Sequence, residues 1–180
     1  MKINQLLKKQ GVSARVAARK LGILDKSLKD SALRAMADSI NENSGTILRA
    51  NSVDIKNAKA LGEDFHVTER MVLDNDRVTT MVESLYKISD LDDPIGEIIE
   101  SSKLPNGLLL EKVRVPLGVI GVIYESRPNI TVDISALCIK SGNSVILRGG
   151  KEAFTTNSTI TNIIRNSAET SGLPSDTVQF

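Results

Sequence analysis

Residues 113–151 constrain the fold more than any other stretch, because a strand, a turn, a helix and a second strand follow one another in it. Residues 119–124 form an apolar, β-branched run, which is typical of a strand buried on both faces of a parallel sheet. Residues 131–141 have apolar side chains at helical spacing, and the Gly-Asn pair after them is a left-handed stop that helices favour. Residues 144–147 predict a second buried strand. This order predicts the right-handed βαβ unit of nucleotide-binding domains.

Polar residues follow both predicted strands, at the end where an α/β sheet binds its ligands. Residues 125–129, Glu-Ser-Arg-Pro-Asn, come directly after the first strand, and their proline fixes φ where the chain must turn. The second strand ends in Arg148, Gly149, Gly150 and Lys151. Two cations around two residues without side chains would let a phosphate-bearing ligand approach the backbone closely.

The composition limits the classes of function. The 180 residues, 41% of them hydrophobic, suffice for one sizeable core, so about one domain is expected. Lys and Arg number 23 against 22 Asp and Glu, a net charge of +1, so neither nucleic acid nor an anionic membrane is expected as a partner. The single cysteine agrees with a reducing compartment. Residues 1–22 lack the continuous apolar core of a signal peptide, so we expect a cytoplasmic protein, with a transit peptide as the second interpretation of this basic start.

The first half of the chain reads as helices that provide packing rather than chemistry. Apolar residues recur at helical spacing up to about residue 89, and Asp25, Ser44 and Asp74 are candidate N-caps. Near the other end, residues 152–171 again predict a helix, and residues 177–180 begin another strand.

A β-hairpin is expected between the helices and the βαβ unit. Strand-like runs at 95–102 and 108–115 flank Asn106-Gly107, which is a strong short-range hairpin signal. We therefore predict three parts: a helical part, a hairpin and an incomplete nucleotide-binding α/β domain, at residues 1–93, 94–117 and 118–180.

Two runs in this region are recognisable, KVRVPLGVIGVIYESRPN and ALCIKSGNSVILRGGKEA. They closely resemble the gamma-glutamyl phosphate reductases, the proline-biosynthesis branch of the aldehyde dehydrogenase superfamily, and ANSVDIKNAKALG and PNGLLLEKVRVPLG support the resemblance. It implies an α/β, aldehyde-dehydrogenase-like fold with N-terminal helices, an oligomerisation hairpin and the start of a Rossmann-like parallel sheet. Family members are more than twice as long, so the resemblance implies an amino-terminal portion.

The resemblance implies an oxidoreductase that reduces L-glutamate 5-phosphate with NADPH to L-glutamate 5-semialdehyde and phosphate. In the family a Cys thiolate attacks the acyl phosphate, phosphate leaves, and a thioester forms. Hydride from the cofactor then reduces the thioester to the aldehyde. Cys138 lies in the predicted helix between Leu137 and Ile139, a context typical of a buried, unreactive thiol. The resemblance places the nucleophile beyond Phe180, so no catalytic residue is assigned within this chain, which we expect to be inactive alone.

The turn after the second strand is the predicted cofactor site. In the superfamily a Lys-Pro-x-Glu turn there binds the adenosine ribose through its Glu, and the resemblance puts Lys151 in that place. A cation attracts a 2′-phosphate that a carboxylate repels, which favours NADP over NAD. The alternative for Arg148, Gly149, Gly150 and Lys151 is a solvated basic turn.

The turn after the first strand is the predicted substrate side. The superfamily has a Pro-Trp-Asn turn there whose Asn donates to the developing oxyanion, and Ser126 and Asn129 are the two candidates for that donor. Arg127 suits a carboxylate or phosphate of an acidic substrate, because its planar fork binds either in a bidentate way. The alternative for Arg127 is a salt bridge to Glu125 or to a helix residue.

The resemblance also implies partners: glutamate 5-phosphate, a second copy of the chain reached by the hairpin, and glutamate 5-kinase. An intrachain edge hairpin is the alternative. The sole histidine, His66, has no neighbouring Cys or second His, so no metal site is predicted. Two rival functions stay open, namely a superfamily dehydrogenase with another acyl substrate and a non-catalytic binding or assembly module.

Overall fold

A computed structural model describes residues 3–180 of the chain. Five helices come first: α1 Ile3–Leu21, α2 Lys26–Glu42, α3 Ser44–Ala60, α4 Phe65–Met71 and α5 Asn75–Asp90. The apolar spacing predicted four of them but not the short α4, whose N-cap is Asp64. Asp25 and Asp74 hold the predicted N-cap positions, and the Asp74 side chain accepts from the N–H of Arg77 at 2.8 Å. The prediction for Ser44 was wrong, because the N-cap of α3 is Asn43 and Ser44 is the first residue of the helix.

The predicted hairpin is confirmed. Strands β1 Ile98–Lys103 and β2 Leu109–Val113 pair antiparallel around Asn106-Gly107, where the Asn106 side chain accepts from the N–H of Leu108 at 3.1 Å. Every residue of the two strands is exposed. The hairpin therefore buries none of its residues against the rest of the described chain.

The βαβ pattern gives a small parallel sheet. Strands β3 Val119–Ile123, β4 Ser144–Arg148 and β5 Val178–Gln179 lie side by side in that order, and helices α6 Pro128–Lys140 and α7 Phe154–Thr170 connect them. A short 3-10 turn, Lys151–Ala153, precedes α7.

Two predictions about the sheet need correction. The run 119–124 was expected to be buried on both faces, but β3 is an edge strand of the described sheet, and Ile123 is 87% exposed. Helix α6 begins at Pro128 rather than at residue 131, because a proline is tolerated at the first helical position, where its missing N–H is not needed. The stop after α6 is as predicted: Gly142 has a φ of 71°.

The main apolar core joins helices α2, α5, α6 and α7 to the sheet. Helix α2 lies at its centre and packs against α5, α6 and α7. The buried side chains come from all of these elements and from β4, among them Leu33, Met36, Ile40, Met81, Leu85, Ile139, Val145, Leu147, Ile160 and Ile164. The division at residues 93 and 117 stays a prediction. Within residues 3–180, no helix is long and apolar enough to cross a bilayer.

A buried ionic joint connects α2, α5 and α6. The ammonium of Lys140, only 3% exposed, lies 2.5 Å from Oδ1 of Asp30 and donates to the carbonyl of Ser89 at 2.8 Å. Lys29, 1% exposed, pairs with Asp93 at 2.6 Å. Each buried charge thus has the partner that its burial requires.

Candidate functional site

The carboxyl ends of β3 and β4 bring the two predicted polar groups together. Ile123 pairs with Arg148, and the N–H of Tyr124 donates to the carbonyl of Arg148 at 3.1 Å. Residues 125–129 and 148–151 therefore meet at one edge of the sheet, the edge where parallel α/β sheets bind their ligands.

Both glycines at this edge are closely packed by protein side chains. A Cβ at Gly149 would lie 2.5 Å from Nδ2 of Asn157, and one at Gly150 would overlap Oγ of Ser126 and lie 2.7 Å from Oε2 of Glu152. Close packing is therefore a sufficient physical reason for glycine at both positions. The approach of a ligand phosphate to the two glycines stays a prediction.

Ser126 and Asn129, the two oxyanion candidates, differ in what their donors already do. Ser126 is 7% exposed, and its hydroxyl donates to Oε2 of Glu152 at 2.8 Å. Its only proton is therefore engaged. Asn129 donates one amide N–H to Oδ2 of Asp133 at 3.4 Å and has a second N–H left. Asn129 is the better placed of the two as a donor.

Glu152 links the ends of β3 and β4. A hydrogen bond with its own backbone N–H lowers the pKa of Glu152, burial partly offsets this, and the Ser126 hydroxyl lowers the pKa further. The carboxylate therefore holds Ser126 across the corner between the two strands. Sequence reasoning missed this role, although Glu152 directly follows the predicted cofactor turn.

Two cations stand at the same edge. Arg148 is exposed, and its guanidinium donates to the carbonyl of Gly149. The Lys151 side chain is 81% exposed, with its Nζ 4.0 Å from Oε1 of Glu152. An exposed pair at that distance contributes little. Lys151 is therefore free to meet an anionic ligand.

The start of α7 is already occupied by a carboxylate of the chain. Asp54, 4% exposed, accepts from the N–H and the hydroxyl of Thr156, both at 2.7 Å, and from the N–H of Thr155 at 3.3 Å. Helix N-termini of nucleotide-binding folds commonly take phosphate. Here the chain's own side chain fills that position.

A cleft of about 620 Å³ lies between α4, α5 and the start of α6. Three arginines from three different elements line it: Arg70 in α4, Arg77 in α5 and Arg127 just before α6. Asn129 and Asp133 of α6 line it as well, together with His66. None of the residues 148–151 lines this cleft.

In the structure Glu125 pairs with Arg70 and not with Arg127. Oε2 of Glu125 lies 2.8 Å from a guanidinium nitrogen of Arg70, and Arg127 has no carboxylate within 4.0 Å among residues 3–180. Sequence reasoning missed Arg70 and Arg77, because nothing in a helical pattern says which exposed arginines will face a loop far along the chain.

Cys138 is buried as predicted, at 5% exposure in α6. Burial raises the pKa of its thiol to about 11. A thiol with this pKa is almost fully protonated near neutral pH, so it is a poor nucleophile.

Comparison with known proteins identifies relatives of one kind. No family model matches the chain. The gamma-glutamyl phosphate reductase of Clostridium acetobutylicum is 49% identical over 168 residues, which are 93% of this chain and 40% of that protein. The crystal structure of gamma-glutamyl phosphate reductase from Thermotoga maritima superposes with a TM-score of 0.94 at 35% identity, covering 97% of this chain and 42% of that one. Propionaldehyde dehydrogenase from Rhodopseudomonas palustris shares the fold, with a TM-score of 0.64 at 18% identity over 96% of this chain and 36% of that one.

Sequence and fold thus match the same kind of protein over nearly the whole chain. The chain spans less than half the length of the relatives that it matches. The chain is a homologue of the gamma-glutamyl phosphate reductases, and it corresponds to about 40% of their length.

Proposed function

We propose that this chain is part of an NADPH-dependent acyl-phosphate reductase, glutamate-5-semialdehyde dehydrogenase, that makes L-glutamate 5-semialdehyde from L-glutamate 5-phosphate in cytoplasmic proline biosynthesis. The observation that carries the proposal is the 49% identity to the Clostridium acetobutylicum reductase across 93% of the chain. The chain provides the cofactor side and part of the substrate side of such an enzyme.

The two cations at the end of β4 fit a phosphorylated cofactor. Lys151 is solvent-exposed with only a distant carboxylate, and Arg148 is exposed beside it. Both would hold the 2′-phosphate of NADPH, which supplies hydride when bound. Asn129, with its free N–H, would donate to the oxyanion of the substrate. Cys138 cannot serve as the nucleophile, because its thiol is buried and its pKa is raised to about 11.

A chimaera tests this function. The 180-residue chain replaces the matching segment of the Clostridium acetobutylicum reductase, and the purified protein is assayed for NADPH-dependent turnover. We expect activity in the chimaera and none in the 180-residue chain alone. In the chimaera, Lys151→Glu should reduce the preference for NADPH over NADH by about tenfold or more, since it replaces attraction of the 2′-phosphate by repulsion.

Arg49→Gln, an exposed change outside both sites, is the matched control. A chimaera that folds, as judged by circular dichroism, and shows no turnover contradicts the proposed function. A comparison of the affinities of the 180-residue chain for NADPH and for NADH tests the cofactor assignment independently of the chimaera's folding. Equal affinities contradict the assignment.

A second candidate is a non-catalytic nucleotide-binding or assembly fragment. The inaccessible thiol of Cys138 favours it for the 180-residue chain by itself. Turnover by the isolated chain would contradict this second candidate.

A further inference from the structure

We propose that the cleft between α4, α5 and α6 binds the α-amino and α-carboxylate groups of an acidic amino acid, with Asp133 as the partner of the ammonium and Arg127 as the partner of the carboxylate. The inference rests on the proposed function and names the part of the substrate that this chain holds.

Asp133 is a half-buried carboxylate that has hydrogen bonds and no cation. Its Oδ1 accepts from the hydroxyl of Ser84 at 2.7 Å, and its Oδ2 accepts from the amide of Asn129 at 3.4 Å. Among residues 3–180 no Lys, Arg or His nitrogen lies within 4.0 Å of it, whereas the partly buried Asp30 and Asp93 both pair with lysines. Two neutral donors orient the carboxylate but leave its charge uncompensated. A ligand ammonium would supply that charge.

Arg127 is a cation without a carboxylate partner in the described chain, just as Asp133 is a carboxylate without a cation. Its guanidinium is exposed and has no carboxylate within 4.0 Å in the described chain, while its backbone is held as the N-cap of α6 next to the buried Pro128. Arg127 and Asp133 line the same cleft and do not pair with each other. A zwitterion with an ammonium beside a carboxylate can engage both groups at once.

The other two arginines supply the preference for an acidic side chain. Arg70 is held by Glu125, and Arg77 donates to the carbonyls of Val72 and Glu69 at 2.5 and 3.3 Å. A guanidinium has five N–H donors, so both arginines are fixed in place and still have donors to give. A second carboxylate or a phosphate of the same ligand can accept from them. The cleft, at about 620 Å³, has room for such a molecule.

Calorimetric titration of the 180-residue chain tests the inference, with L-glutamate, glutarate and L-glutamine as probes. Glutarate lacks the ammonium, and L-glutamine lacks the second acid group. We expect saturable L-glutamate binding that both Arg127→Gln and Asp133→Asn weaken about tenfold or more, the loss of one charge-assisted contact. Arg127→Gln should also weaken glutarate binding, and Asp133→Asn should not. L-glutamine should bind more weakly than L-glutamate.

The exposed changes Arg49→Gln and Asp92→Asn are the charge-matched controls, and circular dichroism checks the fold of each variant. Absence of L-glutamate binding, equal binding of L-glutamate and glutarate, or an unchanged L-glutamate affinity in Asp133→Asn overturns the inference. An active chimaera combined with any of these results leaves the proposed function intact and removes only this assignment. An inactive chimaera combined with the expected binding pattern contradicts the proposed function and leaves the assignment of the cleft intact.

Discussion

At the scale of single residues, burial decides the chemistry of Cys138. Its thiol is 5% exposed, and burial raises its pKa to about 11. We expect the folded chain to react with a thiol reagent such as Ellman's reagent far more slowly than the chain in concentrated guanidinium chloride, because both access and thiolate are lacking. One reactive equivalent should appear only on unfolding. Fast labelling of the folded chain near neutral pH would contradict this prediction.

Asp30 couples the stability of the fold to pH. Burial raises the pKa of Asp30, but hydrogen bonds from Lys140 and Lys26 outweigh it, so the pKa is lowered overall. A carboxyl with a lowered folded-state pKa stabilises the fold above its unfolded pKa of about 3.9, and the contribution is lost as pH falls through the folded value.

Asp30→Asn should therefore lower the free energy of unfolding at pH 7, and its difference from the wild type should shrink as the pH falls below the unfolded pKa of about 3.9. Urea unfolding at several pH values measures this. Glu111→Gln, an exposed change in the hairpin, is the control. A pH-independent difference would show that Asp30 acts through packing rather than through charge.

At the scale of elements, Asp54 joins two helices that are distant in the sequence. It lies in α3 and accepts from the first turn of α7 through Thr155 and Thr156. Asp54→Ala should destabilise the fold by about 1–3 kcal/mol, because it leaves buried N–H and hydroxyl donors without an acceptor. Asp54→Asn retains an acceptor and should cost less. Urea unfolding of the two variants checks the order, and equal losses would contradict the capping role.

The stability of the hairpin is not explained by contacts with the rest of the described chain. Both strands are exposed, and Leu108, Leu109 and Leu110 are each more than half exposed. Apolar groups gathered on an exposed hairpin are typical of an interface. We propose, as the family resemblance implies, that the hairpin contacts a second copy of the chain.

Leu109→Lys together with Leu110→Lys should shift the protein towards monomer in sedimentation analysis, because two buried apolar contacts would become charged. Leu61→Lys, at a leucine that is 80% exposed just after α3, should leave association unchanged. A wild type that is monomeric at every concentration would contradict the oligomer proposal.

At the scale of the whole molecule, two separate regions share the proposed functional roles. Arg148 and Lys151 lie at the end of β4, and the cleft lined by Arg127 lies between α4, α5 and the start of α6. The loop 125–129 connects them, because its Ser126 hydroxyl donates to Glu152 beside the β4 end, while its Arg127 lines the cleft together with Asn129 and Asp133 of α6. One loop and one helix thus place the proposed cofactor and substrate contacts relative to each other.

Sequence reasoning succeeded where local chemistry decides the outcome. Apolar spacing predicted the α-helices except α4, Asn106-Gly107 predicted the hairpin, and the Gly-Asn pair after α6 predicted its end. It was wrong about the burial of β3, since exposure of an edge strand depends on which neighbours the sheet has and not on the strand's own side chains.

The amino-acid sequence by itself determined the order of helices and strands, the polar turns after β3 and β4 and the family resemblance, because these depend on residues close together in the chain. Only the tertiary structure decided which residues share a site. Arg70, Arg77 and Asp133 meet at one cleft, and Ser126 meets Glu152, across separations that no local pattern encodes. Packing brings these charged groups together: α5 and α6 share the main core, whereas α4 packs through Met71 against Ala58 and Ala153, and both clusters depend on side chains from distant parts of the chain.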